Sequence, residues 1–247
     1  MSQSLTSKSL AAPGWETMGA AIASREEGQL FSMIAPRRPL LKIGLCSSLS
    51  CGLLRELVRR IAEEVNAPEL AFREASPGRI RQDVRRREVD VAIVQGTTGL
   101  EGLERQSLWC EPALAAMAER HPLAHASEVS PEDLLRQRFL AHGGAAEHAL
   151  QADLIGAVLG GPPPDLDCLP VDRETLLELA SLGQGVTLIP GSAAAVFHPG
   201  VSYRLIAGGQ ASFSFHAVWK AGGSNPALGP FIAQARALAL RGAAHGP

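Results

Sequence analysis

LLKIGLCSSLSCGLLRELVRRIAEEVNAPELAFREASPGRIRQDVRRREVDVAIV, residues 40–94, is the stretch that decides the fold. Leu40–Leu45 is a short apolar run, the pattern of a buried strand. Leu53, Leu54, Leu57, Val58, Ile61 and Val65 then recur at helical spacing. Arg55, Glu56, Arg59, Arg60, Glu63 and Glu64 fill the opposite face, with Glu56 and Arg60 placed for an i,i+4 ion pair. A second strand is expected over about Glu69–Glu74. Ser76-Pro77 reads as a helix start, serine as N-cap and proline in the first turn, with the helix running to about Arg87. Val89–Val94 is the third strand. The order β-α-β-α-β predicts a parallel sheet with right-handed crossovers.

Working outward, Leu103–Cys110 and Ala113–Ala118 read as two strands, and Ser130-Pro131-Glu132-Asp133 as a capped helix start. Arg138–His142 is a strand. Glu147–Leu159 is a helix with apolar Leu150, Leu154, Ile155 and Val158, ended by Gly160-Gly161 and three prolines. Leu166–Val171 is a strand, and Asp172 caps a helix to Leu182. Gly183 and Gly185 allow a tight turn before the strand Val186–Ile189. Ser202–Ile206 and Ser212–Lys220 follow as strands, and Asn225-Pro226 starts the last helix. On the other side, residues 1–39 read as a flexible or partly helical arm, with a short helix over about Trp15–Arg25. The arm closes on Pro36-Arg37-Arg38-Pro39.

A chain of 247 residues, 46% hydrophobic and 19% charged, buries a sizeable core without disulfides or metals. The net charge of −2 offers no electrostatic match to nucleic acid. The one basic run, Arg79, Arg81, Arg85, Arg86 and Arg87, reads as a solvated helix face. Cys46, Cys51, Cys110 and Cys168 form no C-x-x-C pair, so neither a zinc site nor a thioredoxin-like motif is expected. Cys46 and Cys51 read as small buried hydrophobes beside a strand-to-helix turn. His121 and His125 are four apart, but Pro122 breaks the helix that would align them on a metal. No apolar run spans a membrane and no secretory leader is apparent, so a cytoplasmic location is expected. No Gly-x-Ser-x-Gly, P-loop or His-Glu-x-x-His motif is present. The expectation is a protein that is not an enzyme and uses no cofactor.

Several phrases in order resemble the C-terminal effector-binding domain of LysR-type transcriptional regulators. They are the Ser-rich turn after Leu41–Leu45, RQDVRRREVDVAIV ending at Val94, ERHPLA at Glu119–Ala124, DRETLLELASLGQGVTLIPG at Asp172–Gly191, and NPALGPFIAQARAL from Asn225. The resemblance covers about residues 40–240. It implies an α/β, periplasmic-binding-protein type 2-like fold with two Rossmann-like lobes, a hinge and a central cleft. Lobe one would be 40–110 plus 211–240, and lobe two 111–210. The resemblance also implies a homodimer in which the helix Cys51–Val65 meets Glu147–Leu159 of a second copy. The family begins with a winged helix-turn-helix and a long dimerising helix, and residues 1–39 are too few for both. DNA binding is therefore expected only where a missing segment or a partner supplies that module.

In parallel α/β sheets a ligand lies beyond the carboxyl ends of the strands, here facing the cleft. The first such edge is Ser47, Ser48 and Ser50, hydroxyls at the start of a helix whose free N–H groups favour a carboxylate or other anion. Plain N-capping by Ser48 or Ser50 is the simpler role. The second edge is Gln95, Thr97 and Thr98, an amide and two hydroxyls able to orient a polar ligand, or simply a surface loop. The third is His142, placed to pair with a carboxylate or to sense pH. The expected function is sensing of a small-molecule effector. A stand-alone solute-binding or partner-regulating protein of the same fold is the alternative.

Overall fold

The structure is a computed structural model and describes residues 38–46, 49, 52–161 and 165–244. Of the arm expected over residues 1–39, the first 37, with the helix at Trp15–Arg25, lie outside them. From Leu40 the chain runs β1 (Leu40–Leu45), α1 (Gly52–Ala62), β2 (Glu69–Glu74), α2 (Pro77–Arg85) and β3 (Val91–Gln95). β1 pairs in parallel with β2 and with β3, Ile43 standing between Phe72 and Val91. The alternation of apolar runs with 3.6-period helices thus produces the parallel sheet it predicts.

Two details differ from expectation. α1 ends at Ala62, and Val65 beyond it is 90% exposed. Leu54, Leu57 and Ile61 alone form the buried stripe of α1, while Glu56 pairs with both Arg59 and Arg60 on the outer side. Ser76 makes no side-chain cap on α2. Its hydroxyl donates instead to Glu147, far along the chain.

The chain then enters β4 (Glu104–Ala118), one strand where two were expected. As far as Pro112 it pairs antiparallel with β10 (Ser212–Trp219). From Ala113 it pairs with β8 (Thr187–Pro190) and β9 (Val201–Ile206). Proline lacks an N–H to give to a ladder, and it sits here at the point where the ladder changes partner. β10 also pairs antiparallel with β3, so the first sheet has the order β2-β1-β3-β10-β4. Across the β4–β10 pair, Trp109 stacks on Phe215 with ring centroids 5.6 Å apart.

The second sheet joins β4, β8, β9 and β5 (Glu128–Val129). Beside it run β6 (Phe139–His142) and β7 (Leu166–Leu169), paired in parallel and tied in by a Phe139–Val186 bridge. Gly185 precedes that bridge because a Cβ there would stand 2.7 Å from the Arg138 carbonyl oxygen. The helices α3 (Pro131–Leu135) and α5 (Arg173–Ser181) are capped as their sequences predict. The Asp133 amide donates to Ser130 at 3.1 Å and the Thr175 amide to Asp172 at 2.8 Å. α4 (His148–Leu159) covers β7, and α6 (Leu228–Ala244) packs on β4 and α1. Leu41, Ile43, Leu57, Ile93 and Phe231 are among the fully enclosed side chains of the core.

Candidate ligand cavity

The carboxyl ends of β1 and β3 and the start of α2 face β6, α4, β8 and the β7–α5 turn across a cavity of about 300 Å³. One wall is Cys46, Glu74, Pro77, Gln95 and Phe213; the other includes His142, Gln151, Leu154, Arg173, Leu176, Thr187 and Leu188. The lining is largely aliphatic, with a few amide, imidazole and hydroxyl groups and the charged side chains Glu74, Asp172 and Arg173, the mixture expected of a small-molecule site.

The polar groups are held from behind. His142 is bonded through Nδ1 to the Val171 carbonyl, so Nδ1 carries the proton and Nε2 is the ring atom left for a ligand. Gln151, 7% exposed, donates to the His142 carbonyl at 2.9 Å. Asp172 accepts from the Thr175 amide, which holds its carboxyl below the usual carboxylate range. Burial pushes the Cys46 thiol up to about 12, so at neutral pH it is an S–H and not a thiolate nucleophile.

Glu147 fastens the cavity at one side. Its Oε1 accepts from the Ser76 hydroxyl and, at 3.1 Å, from the Gly78 amide in the first turn of α2; its Oε2 accepts from the Gly144 amide at 2.9 Å. A carboxylate from the β6–α4 connection thereby does for α2 what a cap residue does locally. Two glycines make room for it: a Cβ on Gly78 would lie 2.6 Å from Oε1, and one on Gly143 2.5 Å from Oε2. Above it, Leu150 and Leu154 reach the turn after β3, meeting Gly99 and Gly96.

Of the residues expected at the site, Gln95 and His142 line the cavity, from opposite walls. Thr97 and Thr98 lie in the exposed turn after β3 and outside the lining. Ser47, Ser48 and Ser50 fall outside the described residues, as does Cys51. Sequence reasoning missed Gln151, Thr187, Cys46 and Glu147. It also misread Arg81 as part of a solvated face: Arg81 is 3% exposed, whereas Arg79 is exposed and paired with Asp83 at 2.9 Å. The signal was present in the spacing Pro77, Ile80, Arg81, Val84, which is that of one helix face.

Two sheets that share a strand and enclose such a cavity define the class of periplasmic-binding-protein type 2-like ligand-binding proteins. Within it the chain belongs to the family of the LysR substrate binding domain, whose profile matches residues 35–239. The HTH-type transcriptional regulator AlsR of Bacillus subtilis (strain 168) is 24% identical over 194 residues, which are 78% of this chain and 64% of that protein. The chain therefore spans less than two thirds of that regulator's length. Two solved structures share the fold. The BenM effector binding domain with its effector benzoate superposes with a TM-score of 0.66 at 16% identity, over 84% of this chain and 95% of that one. The effector binding domain of QuiR in complex with shikimate gives 0.67 at 17% identity, over 83% and 98%.

Proposed function

We propose that this chain is the effector-sensing part of a LysR-type transcriptional regulator, binding a small molecule between lobe one (40–110 plus 211–240) and lobe two (111–210). The observation that carries the reading is the cavity itself, walled by polar groups from both sheets and fastened by Glu147. Relatives bearing the same domain are regulators, and two structures of the same fold bind benzoate and shikimate. The effector is a small carboxylate or another anion. Lobe closure about β4 and the β9–β10 connection passes its presence to a homodimer, and DNA is read by a separate segment or partner. No catalytic step is involved. A ligand changes such an equilibrium only through unequal affinity for the open and closed forms.

The test is a thermal-shift screen of small organic acids and neutral metabolites on the wild type and on Leu188→Trp, which fills the cavity from β8. A ligand at a hundred times its Kd stabilises the wild type by about 2.7 kcal/mol. The indole should abolish that rise. An equal rise in the variant places binding elsewhere and overturns the reading.

A further inference from the structure

Arg81 sits where a guanidinium is hard to accommodate. It is 3% exposed, and burial holds its pKa below the ordinary arginine value. Its Nε and Nη1 are enclosed and have no hydrogen-bond partner. Nη2 makes a stretched 3.4 Å contact with the Gln95 carbonyl. No carboxylate forms an ion pair with it among the described residues; Asp83, on the same helix, is taken by Arg73 and Arg79. A buried charge without a counter-ion is strongly unfavourable, and proteins ordinarily pair it. Gln95, which it touches, is in the cavity wall, and Glu147 and Glu101 favour its charged form only from beyond ion-pair distance. Beside it the Gln95 Nε2 is likewise enclosed and unpartnered. At the Gln95 wall of the cavity there are therefore a positive charge just behind the lining and an amide group, with no acceptor for the Arg81 Nε and Nη1 or the Gln95 Nε2.

We propose that this edge is a carboxylate subsite: the ligand's acid group accepts from Gln95 and neutralises Arg81 immediately behind it, while the aliphatic walls hold a compact apolar body. The assignment rests on the cavity being the ligand site and adds the residues that select the ligand's acid group. In a water-poor site a full charge acts through one layer of side chains far more strongly than in solvent, so Arg81 discriminates without direct contact. A Cβ placed on Gly99 in the turn after β3 would lie 3.6 Å from the Arg81 Cδ and 3.8 Å from its Nε, so the guanidinium runs close beneath that turn.

The experiment measures binding of matched acids and primary amides, benzoate with benzamide and butyrate with butyramide, to the full chain by calorimetry and melting temperature. The same pairs are run on Arg81→Gln, Arg81→Lys and Gln95→Leu. The acids should bind the wild type at least tenfold more tightly than their amides. R81Q should erase that preference while the unliganded melting temperature stays level or rises, because an uncompensated charge has been removed. R81K should keep the preference at lower affinity, and Q95L should weaken the acids alone. Amides that bind the wild type as well as acids overturn the subsite and leave the cavity reading intact. So does an R81Q protein that still prefers acids, or one whose unliganded melting temperature falls by several degrees while R81K does not. If neither acids nor amides bind the wild type, the subsite and the cavity reading fall together.

Discussion

Glycine at position 78 runs against helix propensity: it stands in the first turn of α2, where alanine is normally the better helix former by about 1 kcal/mol. The reason is Glu147, whose Oε1 a Cβ would approach to 2.6 Å. Gly78→Ala should therefore destabilise the protein by expelling the carboxylate. Each hydrogen bond to a charged acceptor contributes about 1.5–3 kcal/mol. In a Glu147→Ala background the same substitution should change sign and stabilise, by up to about 1 kcal/mol. Denaturant unfolding of the wild type, the two single variants and the double variant closes a cycle with a large coupling energy. Additive effects would show that Gly78 is there for another reason. Sequence alone could not reveal this pair, because its members are 69 positions apart and the serine between Ala75 and Pro77 satisfies every local criterion for an ordinary cap.

Among the elements, α1 shows how far periodicity carries. Leu54, Leu57 and Ile61 go into the core as the spacing requires, while Leu53 and Val58 remain half-buried at the rim of the stripe. That rim suits a second helix, and the proposed dimer sets α1 against α4 of another copy. Val58→Glu should shift the sedimentation-equilibrium mass from dimer toward monomer at tens of micromolar while the melting temperature changes little. A wild-type protein that is monomeric at every concentration removes the interface. The strands were legible by the same logic wherever one element equals one apolar run. β4 was not, because Pro112 interrupts its pattern and only the tertiary ladder shows that the chain continues straight through. The site divided along similar lines. Gln95 and His142 line the cavity because they end strands at the sheet edge. Thr187 and Gln151 sit inside apolar runs, and their role depends on which wall faces which.

For the molecule as a whole, acid stability has a predictable shape. His216 on β10 is 6% exposed, with Nδ1 and Nε2 directed to Ser107 and Ser214. Burial, and then the nearby charge of Arg105, push its imidazole below the ordinary 6.5. The folded state thus prefers the neutral ring, and the unfolded chain takes the proton first. That contribution is complete above about pH 6.5 and is lost as pH falls through the interval beneath it. Glu56, held at about 2 by Arg59 and Arg60, acts in a separate and lower window, beneath its ordinary 4.5. Chemical denaturation against pH should show a first decline below 6.5 that His216→Asn flattens. An unchanged slope in that variant assigns the decline to other groups.

The insertion of β10 between β3 and β4 sets a timetable for biosynthesis. β1, β2 and β3 leave the ribosome early and can pair at once, but the inner edge of β3 has no neighbour until Ser212–Trp219 is made. At about 5–20 residues per second, the roughly 120 residues between them take on the order of 6–24 s. For that interval the nascent chain presents an open strand edge written VAIV, backed by an unfinished core. The second sheet meanwhile has all its own strands, β4 to β9, and completes first. Newly made chains should be most vulnerable to capture by chaperones, or by each other, during those seconds, and a message truncated shortly before Ser212 would leave every copy fixed in that exposed state.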